Sequence, residues 1–155
     1  FTGTGLFAIR LARAGCKVVA IDKERSAVEC AKHNASLNGT AELVEVRLGE
    51  VPRCLRADET FDLIVACPPL LPGTPENPLE AALVDPDLAS SLGLVRDLHQ
   101  YLSPYGRALI MISDVMERLG YDISTLACSS GLAVRHLSEK ALPYETYSIY
   151  EFARA

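Results

Sequence analysis

The stretch FTGTGLFAIRLARAG, residues 1–15, decides the fold of this chain. Gly3 and Gly5 stand one residue apart and lead into a run whose apolar residues recur at helical spacing as far as Gly15. Glycines in this position allow a tight turn that a ligand can approach closely, and the amides that open the helix favour a negative group. The stretch therefore predicts a strand-to-helix turn that receives a ligand.

Strands and helices alternate along the rest of the chain. Continuous or alternating apolar runs predict strands, and longer runs with helical periodicity predict helices. The predicted order is strand 16–22, helix 23–39, strand 41–48, strand 61–67, helix 87–104, strand 106–113, helix 114–131, and two final strands at 132–142 and 145–155. The proline-rich segment between Pro68 and Pro86 is long for a plain connection, which predicts a functional loop.

This order predicts an α/β fold with a doubly wound, mostly parallel sheet covered by helices on both faces. The last two strands follow each other without a helix, so the final pairings are expected to be antiparallel. A glycine turn of this kind follows a strand, and that strand is expected upstream of Phe1. We therefore expect residues 1–155 to be a single domain that lacks its first strand and belongs to a longer chain.

Composition narrows the function classes. The net charge of −5 is spread along the chain without a basic run, which weakens a nucleic-acid partner. Five scattered cysteines show no metal-ligand spacing, so we expect reduced thiols and no metal site. The apolar runs are only strand-length, and no signal peptide opens the chain, so no membrane span is expected. These features indicate a cytoplasmic enzyme or binding domain.

Asp22 ends the strand that follows the glycine turn. An acid at this place accepts hydrogen bonds from both ribose hydroxyls of an adenine nucleotide or nucleoside. The alternative is structural: the glycines form an ordinary turn and Asp22 caps the next helix. Gly3, Gly5 and Ala8 with Asp22 satisfy the loose dinucleotide pattern, so a nicotinamide or flavin oxidoreductase and a methyl-donor enzyme all stay open at this point.

The end of the fourth strand, FDLIVACPPLL at 61–71, separates these two classes. It resembles the Asn/Asp/Ser-Pro-Pro-Tyr/Phe signature of class I S-adenosylmethionine-dependent methyltransferases. The segments 20–39 and 80–113 are similar to the families that methylate release-factor glutamines and RNA bases. The resemblance implies S-adenosylmethionine as cofactor and a seven-stranded Rossmann-like sheet with an antiparallel last strand.

The resemblance also implies roles for particular residues. The turn from Phe1 and Thr2 to Gly3 and Gly5 lines the methionine part of the cofactor. Asp22 and the adjoining Lys23 lie at the ribose, Glu50 accepts from the adenine amino group, and the Val51 amide faces the ring. For Glu50, the alternative is an ordinary solvated carboxylate. The set Cys67, Pro68, Pro69 and Leu70 holds the methyl acceptor, and Cys67 also borders the cofactor.

Two of these residues depart from the family pattern. Cys67 replaces an Asn whose oxygen accepts a hydrogen of the target nitrogen, and sulfur is only a weak acceptor. Leu70 replaces an aromatic ring that stacks on a planar target. The sequence therefore leaves open an acceptor that is not the usual planar amide or base, and a silent domain that only binds the cofactor. A protein side chain, an RNA base and a small metabolite all stay possible acceptors, and a substrate-binding segment is expected upstream.

Overall fold

The computed structural model describes residues 1–51, 53–77 and 79–155. The chain divides into two compact units, Phe1–Arg56 and Ala57–Ala155. Helices and strands are mixed in both units, which confirms the predicted α/β class. The strands form three separate sheets, two of them with two strands and one with four.

The first unit contains the glycine turn and two parallel strands. Val18 pairs with Val44 and Asp22 with Leu48, so both strands end at the same edge of the sheet. Its elements are α1 (Leu6–Arg13), β1 (Val18–Asp22), α2 (Arg25–Leu37), a 3-10 turn (Ala41–Leu43) and β2 (Val44–Leu48).

Small side chains build the core of this unit. The buried positions of α1 recur at three- and four-residue spacing, which places them on one face of the helix. Alanine at such positions allows helix and strand backbones to approach closely. The buried cluster comprises Ala8, Ile9, Ala12, Ala20, Ala35 and Val44.

The second unit is organised around a four-stranded mixed sheet. Its elements are β3 (Phe61–Ala66), β4 (Leu71–Pro72), β5 (Val84–Asp85), α3 (Ala89–Tyr101), β6 (Leu102–Ser113), α4 (Val115–Arg118), α5 (Ile123–Ser129), β7 (Leu132–Ala141) and β8 (Thr146–Arg154), with 3-10 turns at Glu80–Ala82 and Pro86–Leu88. The strand order is β3-β6-β8-β7. β6 runs parallel to β3, and β8 runs antiparallel to both β6 and β7. The predicted antiparallel final pairings are therefore confirmed.

Large apolar side chains fill the interior of the second unit. Phe152 lies on the central strand β8, with none of its surface exposed, and the other large side chains are buried around it. These are Leu88, Val95, Leu98, Leu102, Ile110, Met116 and Leu132.

Two segments differ from their predicted structure. The single helix predicted at 114–131 is wrong: the chain forms α4 and α5, separated at Gly120, which adopts a positive φ of 88°. The segment 68–86 is also more regular than predicted, because β4 and β5 pair in parallel within it. Residue 78 of that segment lies outside the described residues.

Candidate active site

The glycine turn of the first unit has the conformation that its sequence requires. Gly3 and Gly5 have φ values of 52° and 82°, in the left-handed region that glycine adopts without steric cost. The Gly5 amide donates to the carbonyl of Thr2 at 2.9 Å and closes the turn. From α2, the Asn34 side-chain amide donates to the carbonyl of Thr4 at 2.9 Å. Sequence reasoning missed Asn34, since nothing in the local pattern links it to a turn thirty residues earlier.

Asp22 connects the turn with two further segments. Its Oδ2 accepts a hydrogen bond from the Gly3 amide at 2.8 Å, and its Oδ1 accepts one from the Glu24 amide at 3.1 Å. Its backbone carbonyl accepts from the Gly49 amide at 2.9 Å. The residue preceding α2 is Glu24 rather than Asp22, so the alternative reading of Asp22 as the helix N-cap is wrong.

The carboxylate of Asp22 keeps capacity for a ligand. Two amides use two of its roughly four lone-pair sites, and the side chain is 13% exposed. No atom lies within 4 Å of the place where a Cβ of Gly3 would stand, so the turn has open space beside it. A ribose presents two adjacent hydroxyl donors, and the remaining acceptors and the open turn fit such a group.

The other predicted cofactor residues of this unit either adjoin Asp22 in the chain or lie in segments that are hydrogen-bonded to the end of β1. The Phe1 and Thr2 nitrogens donate to the carbonyl of Ile21 at 2.6 Å and 2.8 Å. Lys23 and Val51 are half-buried. Glu50 follows Gly49 directly, and through the Gly49 amide its segment is attached to the end of β1.

Glu50 is exposed in this structure. Its side chain is 59% exposed and lies 3.5 Å from the guanidinium of Arg53, three residues further on. An exposed ion pair of this kind contributes little to stability, which leaves the carboxylate free to exchange partners. The role of Glu50 toward adenine stays a prediction.

In the second unit, the predicted acceptor turn follows β3. Pro68, Pro69 and Leu70 are buried, with Leu70 at 9% exposure, and Cys67 is half-buried. Burial raises the pKa of the Cys67 thiol, so the thiol is protonated at neutral pH. A protonated thiol is a poor nucleophile, which disfavours covalent catalysis by Cys67.

Neighbouring segments hold this turn in place. The Ser91 hydroxyl donates to the carbonyl of Pro69 at 3.0 Å, and the Leu71 amide donates to the carbonyl of Leu83 at 3.0 Å. Buried Asp85 in turn accepts from the Ser90 amide at 2.8 Å and fixes the start of α3. Ser91 thus occupies the carbonyl of Pro69, whereas no side-chain donor of the described residues reaches the carbonyl of Pro68.

Sequence reasoning also missed Glu145, which lies where β6 ends and β8 begins. Glu145 accepts hydrogen bonds from the Ser113 hydroxyl at 2.8 Å and from the Tyr147 hydroxyl at 2.6 Å. The hydrogen bond to Glu145 raises the pKa of Tyr147, so its hydroxyl stays a donor. Only the predicted strand boundary near residue 145 hinted at this place.

Comparison with known proteins identifies the family. A family model described as a methyltransferase domain matches residues 1–151, which is nearly the whole chain and includes both units. This chain belongs to the methyltransferase domain family. This family agrees with the methyltransferase resemblance of the sequence. Among the described residues, no helix is long and apolar enough to cross a membrane, and no group of three or more His, Cys, Asp or Glu is placed to hold a metal ion.

Relatives in sequence match only part of the chain. The domain is 40% identical over 65 residues to the ribosomal protein L11 methyltransferase of Desulfitobacterium hafniense, across 42% of this chain. The corresponding enzyme of an Exiguobacterium species is 38% identical over 66 residues. These matches span one fifth, 20%, of the length of either relative.

Solved structures of methyltransferases share the fold. The ribosomal protein L11 methylase of Lactobacillus delbrueckii subsp. bulgaricus is similar with a TM-score of 0.70 and 21% identity, over 99% of this chain and 66% of that one. The E. cuniculi Mtq2-Trm112 complex, which is described as responsible for methylation of the eRF1 translation termination factor, gives a TM-score of 0.72 and 16% identity, over 99% of this chain and 81% of that one. At these identities the likeness concerns the fold alone.

Proposed function

We propose that the protein containing this domain transfers a methyl group from S-adenosylmethionine to a nitrogen of its acceptor. The observation that carries the proposal is the hydrogen bonding of Asp22, which joins the glycine turn, the start of α2 and the segment after β2. The resemblance assigns the glycine turn, Asp22 itself and the segment after β2 to the cofactor. A carboxylate with spare acceptor sites, beside a glycine turn with open space, suits the ribose of such a nucleoside.

Each predicted cofactor residue keeps its role in this proposal. Asp22 holds the ribose hydroxyls, with Lys23 adjoining it, and Glu50 and the Val51 amide recognise the adenine. The turn through Phe1, Thr2, Gly3 and Gly5 holds the methionine part, and Cys67 borders the reacting end. When bound, the cofactor supplies a methyl group on a sulfonium, which needs no acid or base for its activation.

The residues of the second unit position the acceptor. The Ser91 hydroxyl occupies the Pro69 carbonyl. No side-chain donor of the described residues reaches the Pro68 carbonyl, which can therefore accept a hydrogen of the target nitrogen. Orienting a lone pair in this way is catalysis by positioning. Pro69 and Leu70 provide an apolar wall, and Cys67 supplies little hydrogen bonding.

We further propose that the domain is a single unit of function with one seven-stranded, mostly parallel sheet whose last strand is antiparallel. The strand order β3-β6-β8-β7 and the parallel pair β1-β2 are consistent pieces of such a sheet. The family match across residues 1–151 supports a single domain. A cytoplasmic location completes this proposal.

The acceptor is a protein side chain, an RNA base or a small metabolite. Relatives carry names that specify ribosomal protein L11 and the termination factor eRF1. The absence of a basic run in the sequence favours a protein side chain or a small molecule over RNA. A silent domain that binds the cofactor without turnover is the second candidate, because Cys67 and Leu70 depart from the family pattern.

Calorimetric titration of the full-length protein with S-adenosylmethionine, S-adenosylhomocysteine and NAD tests the proposal. We expect micromolar binding of the first two and none of NAD. Asp22→Ala should weaken S-adenosylhomocysteine binding about tenfold or more, since charge-assisted hydrogen bonds are lost. Asp22→Asn removes the charge but keeps a side-chain oxygen, so it separates the contact with the ligand from the hydrogen bonding of the turn. Asp58→Ala, at an exposed position, is the matched control. Binding of NAD alone would replace this proposal with the nicotinamide-dependent oxidoreductase.

A further inference from the structure

The carboxylate of Glu145 has an unusual set of partners. Each of its oxygens accepts a hydrogen bond from a neutral hydroxyl, one from buried Ser113 and one from Tyr147. No cation of the described residues pairs with it. By contrast, the nearby carboxylate of Asp114 is paired with the guanidinium of Arg118 at 2.8 Å. Two neutral hydroxyls therefore hold the Glu145 carboxylate, and the Arg118 guanidinium reaches only the carbonyl of the adjoining Tyr144, at 3.1 Å.

The sheet register brings this charge to the acceptor turn. Ala66 pairs with Ile110, so the next residue, Cys67, stands beside the part of β6 that leads to Ser113. Ser113 pairs with Tyr147 on β8. Tyr147 therefore lies two strand spacings from β3, about 10 Å across the sheet, and two residues further along than Cys67, at the same end of the sheet. Ionisation of the Cys67 thiol would also raise the pKa of Tyr147, after the hydrogen bond to Glu145, the burial of the ring and the charge of Glu145.

Tyr147 and Ser113 orient the carboxylate without exhausting it. Two hydrogen bonds occupy two of roughly four acceptor sites, so each oxygen keeps a place for one more hydrogen. A carboxylate accepts more strongly than a neutral amide and attracts a cation as well. It therefore offers what Cys67 lacks, in a form that favours a basic nitrogen over a neutral one.

Apolar surface lies next to the same turn. Leu71 and Leu83 are both exposed, and the Leu71 amide donates to the Leu83 carbonyl at 3.0 Å, so the two residues are neighbours. Exposed leucines beside a binding turn favour an acceptor with an apolar body. The turn thus combines one negative group with an apolar wall.

We propose that Glu145 binds the methyl acceptor directly and that this acceptor is a primary amine on an apolar body. This inference rests on the proposed methyl transfer. The amine arrives as an ammonium ion and loses one proton to water. Its nitrogen then forms the new N–CH₃ bond as the S–CH₃ bond breaks, and the sulfur keeps the electron pair. Glu145 accepts the remaining N–H hydrogens and stabilises the positive charge that returns to the nitrogen.

Matched ligands test this inference in the full-length protein saturated with S-adenosylhomocysteine. Phenethylamine and phenylacetamide differ in charge at the nitrogen end while sharing an apolar ring, and their binding is measured by calorimetry. We expect the wild-type protein to bind the amine at least tenfold more tightly than the amide. Glu145→Gln should abolish that preference, and Tyr147→Phe should reduce it because the carboxylate loses an orienting donor.

The preference between the two ligands separates recognition from structural damage. A misfolded site would weaken both ligands together, whereas loss of the charge weakens only the amine. Glu139→Gln, which removes an exposed carboxylate from β7, is the control and should keep the preference. Equal affinity for both ligands in the wild-type protein, no detectable amine binding, or an unchanged preference in Glu145→Gln would overturn the inference. Absence of S-adenosylhomocysteine binding would instead overturn the proposed function itself.

Discussion

Asp122 is a single side chain whose protonation affects the stability of the second unit. It precedes α5, and its carboxylate accepts hydrogen bonds from the Thr125 hydroxyl at 2.6 Å and the Ser124 amide at 2.8 Å. The hydrogen bond from the Thr125 hydroxyl, helped by those from the backbone, lowers the pKa of Asp122 from its ordinary value of 3.8. The folded state therefore binds this proton less readily than the unfolded state.

The sign of the pH effect follows from this shift. The stabilisation by Asp122 is fully present above pH 3.8 and is lost as the pH falls through the lower folded-state pKa. We predict that Asp122→Ala lowers the free energy of unfolding at neutral pH and that this loss shrinks below pH 3.8. Urea unfolding across this pH range measures the difference. An equal loss at every pH would contradict the prediction.

At the site, single residues were predictable to the extent that their chemistry shows in short patterns. The glycine spacing and the acid after the next strand indicated Gly3 and Asp22, which the structure joins by a hydrogen bond. Ser91 and Glu145 could not be predicted, because their partners Pro69 and Ser113 are distant in sequence. Contacts of that kind depend on the strand order, which local patterns do not contain.

At the scale of elements, the packing of α1 against α2 depends on a glycine. A Cβ at Gly5 would lie 3.2 Å from both the Cα and the Cβ of Ala31, whereas a Cβ at Gly15 would meet no atom within 4 Å. Both glycines have a positive φ, so they share the conformational cost of substitution. The two positions therefore form a matched pair that differs only in the contact with α2.

We predict that Gly5→Ala destabilises the protein more than Gly15→Ala. The positive φ costs about 1–2 kcal/mol for either alanine. The contact with Ala31 should add roughly 1 kcal/mol or more at Gly5, because the nearest atom is backbone and cannot rotate away. Chemical denaturation of both variants measures the difference. Equal destabilisation would show that α1 shifts to accommodate the methyl group.

Most helices and strands follow from periodicity, and the exceptions have physical reasons. The helix predicted at 114–131 is interrupted because Gly120 adopts a left-handed conformation and Asp122 caps a new helix. β4 and β5 have only two residues each, too few for a pattern to show. They exist because the backbone after the Pro-Pro turn pairs with Leu83 and Asp85.

At the scale of the whole molecule, the reactivity of the five cysteines measures how exposed different parts of the chain are. Cys16 and Cys128 are exposed, and the other three are half-buried. Alkylation requires the thiolate, and burial raises the pKa of Cys67. We predict that iodoacetamide modifies Cys16 and Cys128 first and Cys67 much more slowly.

Mass spectrometry of peptides after timed alkylation measures these rates. Unfolding in urea should make all five rates similar, which controls for sequence effects. S-adenosylhomocysteine should slow the modification of Cys67 further and leave that of Cys16 and Cys128 unchanged. Modification of Cys67 as rapidly as Cys16 in the folded protein would contradict its burial at the acceptor turn.

The strand order β3-β6-β8-β7 has a consequence for biosynthesis. β6 pairs with the last strand of the chain, Thr146–Arg154, rather than with the strand that follows it. While a ribosome still holds those residues, one edge of β6 has no partner, and β7 has no neighbour in the sheet. Until synthesis has passed residue 154, the nascent chain therefore exposes an unpaired, apolar strand edge that is prone to aggregation. We expect chaperones to bind this edge during that interval.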